Sequence, residues 1–433
     1  MRNFCRTFLA GIFCFPLLAL YAQDPLVLSL DEAVAFALGH NKSLVSSKLA
    51  IDKSEQAIRE TIAQGLPQVN ATLDYTNFLG AGASIQFNPD APPVEIEFNP
   101  TSNFQLSVNQ LVFNGSYWVG LELSKLAKTM TEQNYLRDEL NVKEQATQAY
   151  YLVLASQRIL DIIKENMANA QLIYEKTNNL ANAGLIEQTD AKRLAIMVTS
   201  VGNAIKSTER QLEMGYNLLR LQLGLEADQA ISLSTTLDDI ARQFIFPALP
   251  ADTFNIQNNL DFKLVSMQGN IAQEKIRLRK ASYLPSLVAF YSFTGKIKKS
   301  AFDVTPNNLV GLNLNIPLFS SGQRWSQLSQ AKIDLMVNEN NRDLLAQQLS
   351  LQEKQLRYNY NNLLEQFMAQ KENVEIAKEV LEKMNLKYRQ GVVSSLDLTS
   401  ANNDYLTAES TYAGLLLQLL NAELSLRKIN NKL

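Results

Sequence analysis

The chain has few residues suited to covalent or acid–base chemistry. His40 is the single histidine, and the two cysteines, Cys5 and Cys14, both stand near the amino terminus. No G-x-S-x-G elbow, zinc-ligand spacing or phosphate-binding loop occurs, so an activated nucleophile, a metal centre and a nucleotide site all lack their parts. Carboxylates remain, and a pair of them can hydrolyse a glycosidic bond such as those of the cell wall. The two that recur at matched positions, Asp190 and Asp397, each stand six residues after a glycine, Gly184 and Gly391. That spacing puts them just beyond a turn and in the first turn of a helix, where an acid is favoured by the helix dipole alone. We therefore expect no enzyme, no bound metal and no cofactor.

Charge excludes another class. Lys and Arg total 40 against 43 Asp and Glu, a formal charge of −3 with no basic stripe, so no nucleic-acid partner is expected. The first residues read as an export signal over 1–22. Arg2 and Arg6 precede or flank an apolar run from Phe8 to Leu20, and Ala22 is a small residue before Gln23, where the mature chain is expected to begin. The run is short for a membrane anchor. Both cysteines fall inside it, and Phe13 stands where lipidation of Cys14 needs a small residue. Further along no stretch of about 18 apolar residues occurs, so any membrane span has to be β.

The elements that must hold these residues are written twice. Trp118 matches Trp325, Gly184 matches Gly391, Asp190 matches Asp397 and Arg220 matches Arg427, each pair 207 positions apart. Leu66-Pro67 matches Leu284-Pro285 at a spacing of 218, which leaves eleven extra residues in a loop of the first copy. The first repeat covers 23–223, an irregular equatorial linker with Pro247 and Pro250 covers 224–258, and the second repeat covers 259–433. A short helix capped by Ser29 and Glu32 and a second running to about Gln64 open the first repeat, and Asn259 to Ser282 is the counterpart of the second.

After each Leu-Pro the pattern alternates with period two, predicting strands at about 69–79, 103–113, 287–293 and 309–319. Phe104, Leu106 and Val108 oppose Asn103, Gln105, Ser107 and Asn109; Val310, Leu312, Leu314 and Ile316 oppose Gly311, Asn313 and Asn315. Such two-sided strands suit lipid on one face and water on the other. The loop between the first two is rich in Gly, Pro and acids, among them Asp90, Pro92, Pro93 and Glu95.

Helical hairpins follow at about 117–223 and 324–430. A first helix of some 64 residues would reach about 95 Å, far beyond the size of an ordinary domain. A stripe interrupted by one polar residue, Gln370, keeps alternating spacings of three and four: Tyr360, Leu363, Phe367, Gln370, Val374, Ala377, Leu381, Met384 and Tyr388, then Leu398, Ala401, Tyr405, Ala408 and Tyr412 on the way back. Subtracting 207 gives a softer stripe that includes Val153, Leu160, Met167, Tyr174 and Thr177. Both hairpins are expected to be antiparallel coiled coils. They turn at Gly184-Leu185 and Gly391-Val392. Ser394 and Asp397 form a capping box, whereas Glu187 stands at the matching place before Asp190 and gives it no such partner.

Four strands leave open edges that hydrocarbon does not tolerate, so the sheet must close with other chains. Membrane barrels start at about eight strands, which two copies supply, and three copies supply about twelve. The order of strand pair, coiled-coil hairpin and a Gly-x-x-x-x-x-Asp tip, twice, after an opening Leu30-Asp31-Glu32-Ala33 with Ala37-Leu38 and Asn41, resembles the TolC-type outer-membrane efflux proteins over the whole mature chain. The resemblance implies a mainly α fold with transmembrane β. It implies a homotrimer whose β-barrel of about twelve strands, set in outer-membrane lipid, continues into a periplasmic α-barrel of about twelve helices. Its implied partners are a periplasmic adaptor (membrane fusion) protein and an inner-membrane RND or ABC pump, in tripartite efflux or type I secretion.

The resemblance also assigns a periplasmic gate to the tips. The family's second tip has a tyrosine three residues before the glycine, an arginine two after it and aspartates six and nine after it. Here Tyr388 and Asp397 match, while Val393 and Ser400 replace the arginine and the second aspartate. Asp190 is the first-copy equivalent. A ring of Asp397 side chains would favour cations at a narrow mouth, or Asp397 only caps its helix. Tyr388 either packs on the seam or bonds as a latch. Gly184, Leu185, Gly391 and Val392 are candidate docking points for the adaptor. Trp118 and Trp325 are either membrane-interface anchors or packing at the junction of barrel and shaft. A competing class, a periplasmic coiled-coil structural or adaptor protein, needs only one hairpin and no alternating strands.

Overall fold

Ser29 starts the first helix as its sequence dictates: its hydroxyl accepts from Glu32 N and the Glu32 carboxylate returns to Ser29 N at 2.8 Å. The computed structural model describes residues 26–86, 92–243, 254–299, 303 and 305–433; the export signal expected over 1–22, Asp90, Pro247 and Pro250 lie outside them. The order is β1 (Leu26–Leu28), α1 (Leu30–His40), α2 (Lys42–Ala63), β2 (Gln68–Thr76), β3 (Gly82–Ile85), β4 (Val94–Glu97), β5 (Thr101–Asn114), α3 (Gly115–Asn182) and α4 (Gln188–Leu223). Then come β6 (Ile231–Leu233), α5 (Leu237–Gln243), a 3-10 turn at Ile256–Asn258, α6 (Leu260–Ala281), β7 (Ser286–Lys298), β8 (Asn308–Asn315), α7 (Gln323–Arg389) and α8 (Ser395–Ile429).

Four strands form one antiparallel sheet in the order β2-β5-β7-β8. Its register puts Leu73, Phe104 and Gly295 in one row and Val69, Val108, Tyr291 and Val310 in another, all on one face. The opposite face carries Asn70, Ser107, Ser292 and Leu309 in one row and Thr72, Gln105 and Thr294 in the next. Gln105 Nε2 donates to the Ser292 hydroxyl across it at 2.9 Å. The apolar face is open: Leu73, Val310 and Leu312 are 69%, 80% and 69% exposed. Among the described residues nothing pairs with the outer edges of β2 and β8.

Strand lengths depart from the periodicity for local reasons. β2 stops at Thr76 because Leu79 and Gly80, with φ of 51° and 77°, turn the chain. The loop that follows holds the short hairpin β3–β4, too brief for alternation to register. β7 runs on to Lys298, while β8 ends at Asn315, two residues before Pro317, which has no N–H for a ladder. The segment expected to be an irregular linker holds β6, parallel to β1, and α5, whose Leu237 and Ile240 are buried in the main core.

The long helices α3 and α7 contain 68 and 67 residues, or about 100 Å each. Their seam positions are buried as the heptads require: Tyr360, Leu363, Phe367 and Val374 on α7, and Leu398, Ala401, Ala408, Leu419 and Leu426 on α8. Gln370, the polar interruption, donates to the Ala408 carbonyl at 2.9 Å and so leaves no orphaned amide donor on the seam. In the first hairpin a Cβ on Gly215 would lie 3.3 Å from Val153 Cγ2, which marks a close helix approach. The hairpins join where α3 buries a second stripe, including Ala146, Tyr150 and Leu154, in a core shared with Leu416, Leu419 and Leu420 of α8. Gly224 ends α4 with φ 70° so near α1 that a Cβ would sit 2.2 Å from the His40 carbonyl oxygen; only glycine fits there.

Candidate functional site

The hairpin turns are built from backbone bonds closed by a left-handed glycine. Gly184 has φ 73° and Gly391 φ 74°. Leu185 N donates to the Leu180 carbonyl and Val392 N to the Lys387 carbonyl, each at 3.0 Å, as a helix-ending motif with glycine requires. Leu185 and Val392, next to these glycines, are 71% and 67% exposed.

Beside the turns the hairpins are bonded to each other. The Tyr388 hydroxyl and Thr177 Oγ1 are 2.7 Å apart, linking α7 to α3. The Ser395 hydroxyl donates to Asp190 Oδ1 at 2.5 Å, linking α8 to α4. Thr177 and Ser395 are each 1% exposed, so both hydroxyls are committed to these partners. The four residues border one cleft of about 530 Å³ between the tips, with Arg389 and Val393 also in its wall. The Tyr388 ring thus packs across onto the first hairpin, against the apolar cluster of Ala170, Leu194 and Met197, and its hydroxyl also makes a bond there.

Asp397 is not in that cleft's wall. Its carboxylate accepts from the Ser394 hydroxyl at 2.7 Å and from Ser394 N at 3.0 Å, and Ser394 Oγ accepts from Asp397 N at 3.2 Å. The hydroxyl bond first, and the backbone bond second, hold the Asp397 carboxyl below its ordinary pKa. Asp190 differs: Glu187 provides no side-chain cap, and the acid is tied to the other hairpin. A partner was missing for it in the sequence because Ser395 lies 205 positions away. Ser395 as the partner of Asp190 and Thr177 as the partner of Tyr388 were therefore not recognisable, although Thr177 stands on the heptad stripe and Ser395 follows the cap.

Trp118 and Trp325 lie in the first turns of α3 and α7, at the opposite ends of these helices, and are 59% and 69% exposed. Trp118 packs edge-on against Tyr117, ring centroids 5.2 Å apart. Among the described residues no group of acids, histidines or cysteines is arranged to hold a metal, and no helix is long and apolar enough to cross a membrane. The cleft between the tips is lined by hydroxyls, the Asp190 carboxylate, the Arg389 guanidinium and apolar side chains.

The profile of the outer membrane efflux protein family matches residues 34–225 and 255–432. The chain is 24% identical over 412 residues to the outer membrane protein TolC of Salmonella enteritidis, covering 90% of this chain and 80% of that one. Its fold is similar to the crystal structures of CusC, described as following folding and transmembrane channel formation, with a TM-score of 0.74 and 17% identity over 95% of both chains. It is also similar to the open state of the Neisseria gonorrhoeae MtrE outer membrane channel, with a TM-score of 0.73 and 16% identity over 93% of this chain and 88% of that one. Two matched segments that follow the duplication, together with a fold that agrees from end to end, place the chain in the outer membrane efflux protein family.

Proposed function

We propose that three copies of this chain form a conduit that takes substrate from an inner-membrane RND or ABC pump, through a periplasmic adaptor, to the cell exterior. The observation that carries this reading is the four-stranded sheet. It is apolar on one face and more polar on the other, with neither outer edge paired among the described residues, and it runs directly into helices of about 100 Å. β2 and β8 run antiparallel, so β8 of one copy can continue onto β2 of the next with the same hydrogen-bond pattern. A repeated head-to-tail contact of this kind closes into a ring. Lipid would cover the Val310 face and water the Gln105 face, with Trp118 and Trp325 near the membrane boundary.

The hairpin tips form the gate in this reading. Thr177–Tyr388 and Asp190–Ser395 tie the hairpins together within one copy, and widening the tips requires those bonds to break. Asp397 lines the narrow mouth as well as capping α8. The exposed Leu185 and Val392 at Gly184 and Gly391 offer apolar contacts for the adaptor. Transport of this kind needs no catalytic group. Substrate choice would rest with the pump.

Membrane fractionation and planar-bilayer recording test the assignment together. A heat-modifiable trimer extracted from the outer membrane, forming ion-conducting pores, is the expected result. Recovery as a soluble periplasmic monomer would refute it.

A further inference from the structure

Asn166 of α3 and Asn402 of α8 face each other across the contact between the hairpins, 5% and 6% exposed. Their amides are reciprocal: Asn166 Nδ2 donates to Asn402 Oδ1 at 2.5 Å, and Asn402 Nδ2 donates to Asn166 Oδ1 at 3.2 Å. Burying two amides gains less than burying two leucines would, and losing either partner orphans the other. Polar pairs at packed helix contacts set register and rotation at a cost in stability. A pair of bonds between planar amides permits one rotation of α8 against α3, whereas an apolar contact tolerates several.

The position of the pair matters. Toward the sheet the hairpins are fused by the main core, in which Tyr150 and Leu154 of α3 pack with Leu416, Leu419 and Leu420 of α8. Toward the tips the buried apolar cluster of Ala170, Leu194 and Met197 belongs to the first hairpin, with Tyr388 packed against it from the second. The polar links there are Thr177–Tyr388 and Ser395–Asp190. Asn166 precedes Thr177 by eleven residues, about 16 Å of helix. The pair therefore sits where a continuous core gives way to a sparse, bond-held junction.

We propose that Asn166 and Asn402 are the positioning residues of the gate: they fix the rotation of α8 on α3 and serve as the pivot about which the tip of the second hairpin swings. This rests on the gate reading above. The two tip bonds break on opening, and the amide pair persists in both states. The pair thereby limits the moving part to the tip section and brings Tyr388 and Ser395 back into register with Thr177 and Asp190 on closing.

The test compares Asn402→Leu, the double variant Asn166→Leu/Asn402→Leu, and Tyr388→Phe, each in the full assembled channel. The single variant should lower the melting temperature, because it orphans a buried amide, and the double variant should recover it. The double variant should nevertheless raise the closed-state conductance in bilayers at least threefold. A contact that only held the shaft together would let conductance return with stability. Wild-type conductance in a stable double variant would overturn the proposal. If Tyr388→Phe still raises conductance in that case, the pivot alone is wrong; if it does not, the gate reading falls as well. Should the double variant fail to assemble, Asn402→Asp keeps the shape and the acceptor but loses a donated bond. It should raise closed-state conductance too, and an unchanged value would be equally decisive against the pivot.

Discussion

The Tyr388 hydroxyl and Thr177 Oγ1, 2.7 Å apart, join the second hairpin to the first three residues before the second turn. Tyr388→Phe removes the bond and keeps the ring against Ala170, Leu194 and Met197 of the first hairpin, so packing and latching separate. A net bond of this kind contributes about 0.5–1.5 kcal/mol, which corresponds to roughly a two- to twelvefold shift in the balance between closed and open tips. Tyr388→Phe is expected to increase open probability by that order in single-channel recordings, and Thr177→Val should do the same. The double variant should add little, because both changes remove one interaction. Full additivity would mean that each residue acts through other contacts.

Asp397 should report acid through its cap. Its carboxyl is held below the ordinary value by Ser394, so near that range the unfolded chain binds more protons than the folded one. The stabilisation is then complete above the ordinary aspartate value of about 3.9 and is lost as pH falls through the lower folded value. Thermal melts across that acidic window should show a steeper fall for the natural chain than for Asp397→Asn. Coincident slopes would remove the cap from the account. In the assembled channel Asp397→Ala should also weaken block by multivalent cations while leaving assembly intact; unchanged block would leave Asp397 a cap and nothing more.

Elements set by local chemistry were legible in the sequence. The Ser29–Glu32 and Ser394–Asp397 capping boxes, the glycine turns and the heptad burial of Tyr360, Leu363 and Phe367 all follow from spacings of a few residues. What escaped depends on contacts between hairpins. Thr177 reads as a weak seam residue until Tyr388, 211 positions later, is placed beside it. Asn166 lies off the α3–α4 seam, on the second buried stripe of α3, and the repeat gives no hint of Asn402 because their separation of 236 matches neither 207 nor 218. The duplication reports what the two copies share, whereas the contacts that join the hairpins here are between unlike positions.

Asn41 and Asn259 show the shared part at work. Each caps a helix through its Oδ1, with Asn41 accepting from Ser43 and Leu44 and Asn259 from Asp261 and Phe262. Each Nδ2 then holds the far end of its own hairpin, the Gln222 carbonyl at 2.8 Å and the Ile429 carbonyl at 3.0 Å. Replacement of either by alanine orphans two helix amides and a carbonyl in a buried place, at a cost of about 1–3 kcal/mol. Both variants should melt earlier when followed by loss of helical circular dichroism, and by similar amounts. Asn→Asp at either position restores the cap but sets a carboxylate against a carbonyl, so it should not recover the full stability. A natural melting curve for Asn259→Ala would show that the tie is dispensable.

The two faces of the sheet give the sharpest contrast. Leu312 sits on the apolar face, 69% exposed and beside Ala289, whereas Gln105 lies on the polar face against Ser292. If lipid covers the first and water the second, an arginine at 312 is costly by about 2–4 kcal/mol near the bilayer midplane, and an arginine at 105 costs little. Leu312→Arg should therefore deplete the heat-resistant assembled form in outer-membrane fractions. Gln105→Arg should assemble normally and instead shift the ion selectivity of the pore toward anions, since three added charges would line the water path. The reverse outcome, with Gln105→Arg failing to assemble and Leu312→Arg changing selectivity, would turn the sheet inside out. Equal tolerance of both would argue that the sheet does not stand in a membrane, because only a hydrocarbon surrounding makes the two faces so unequal.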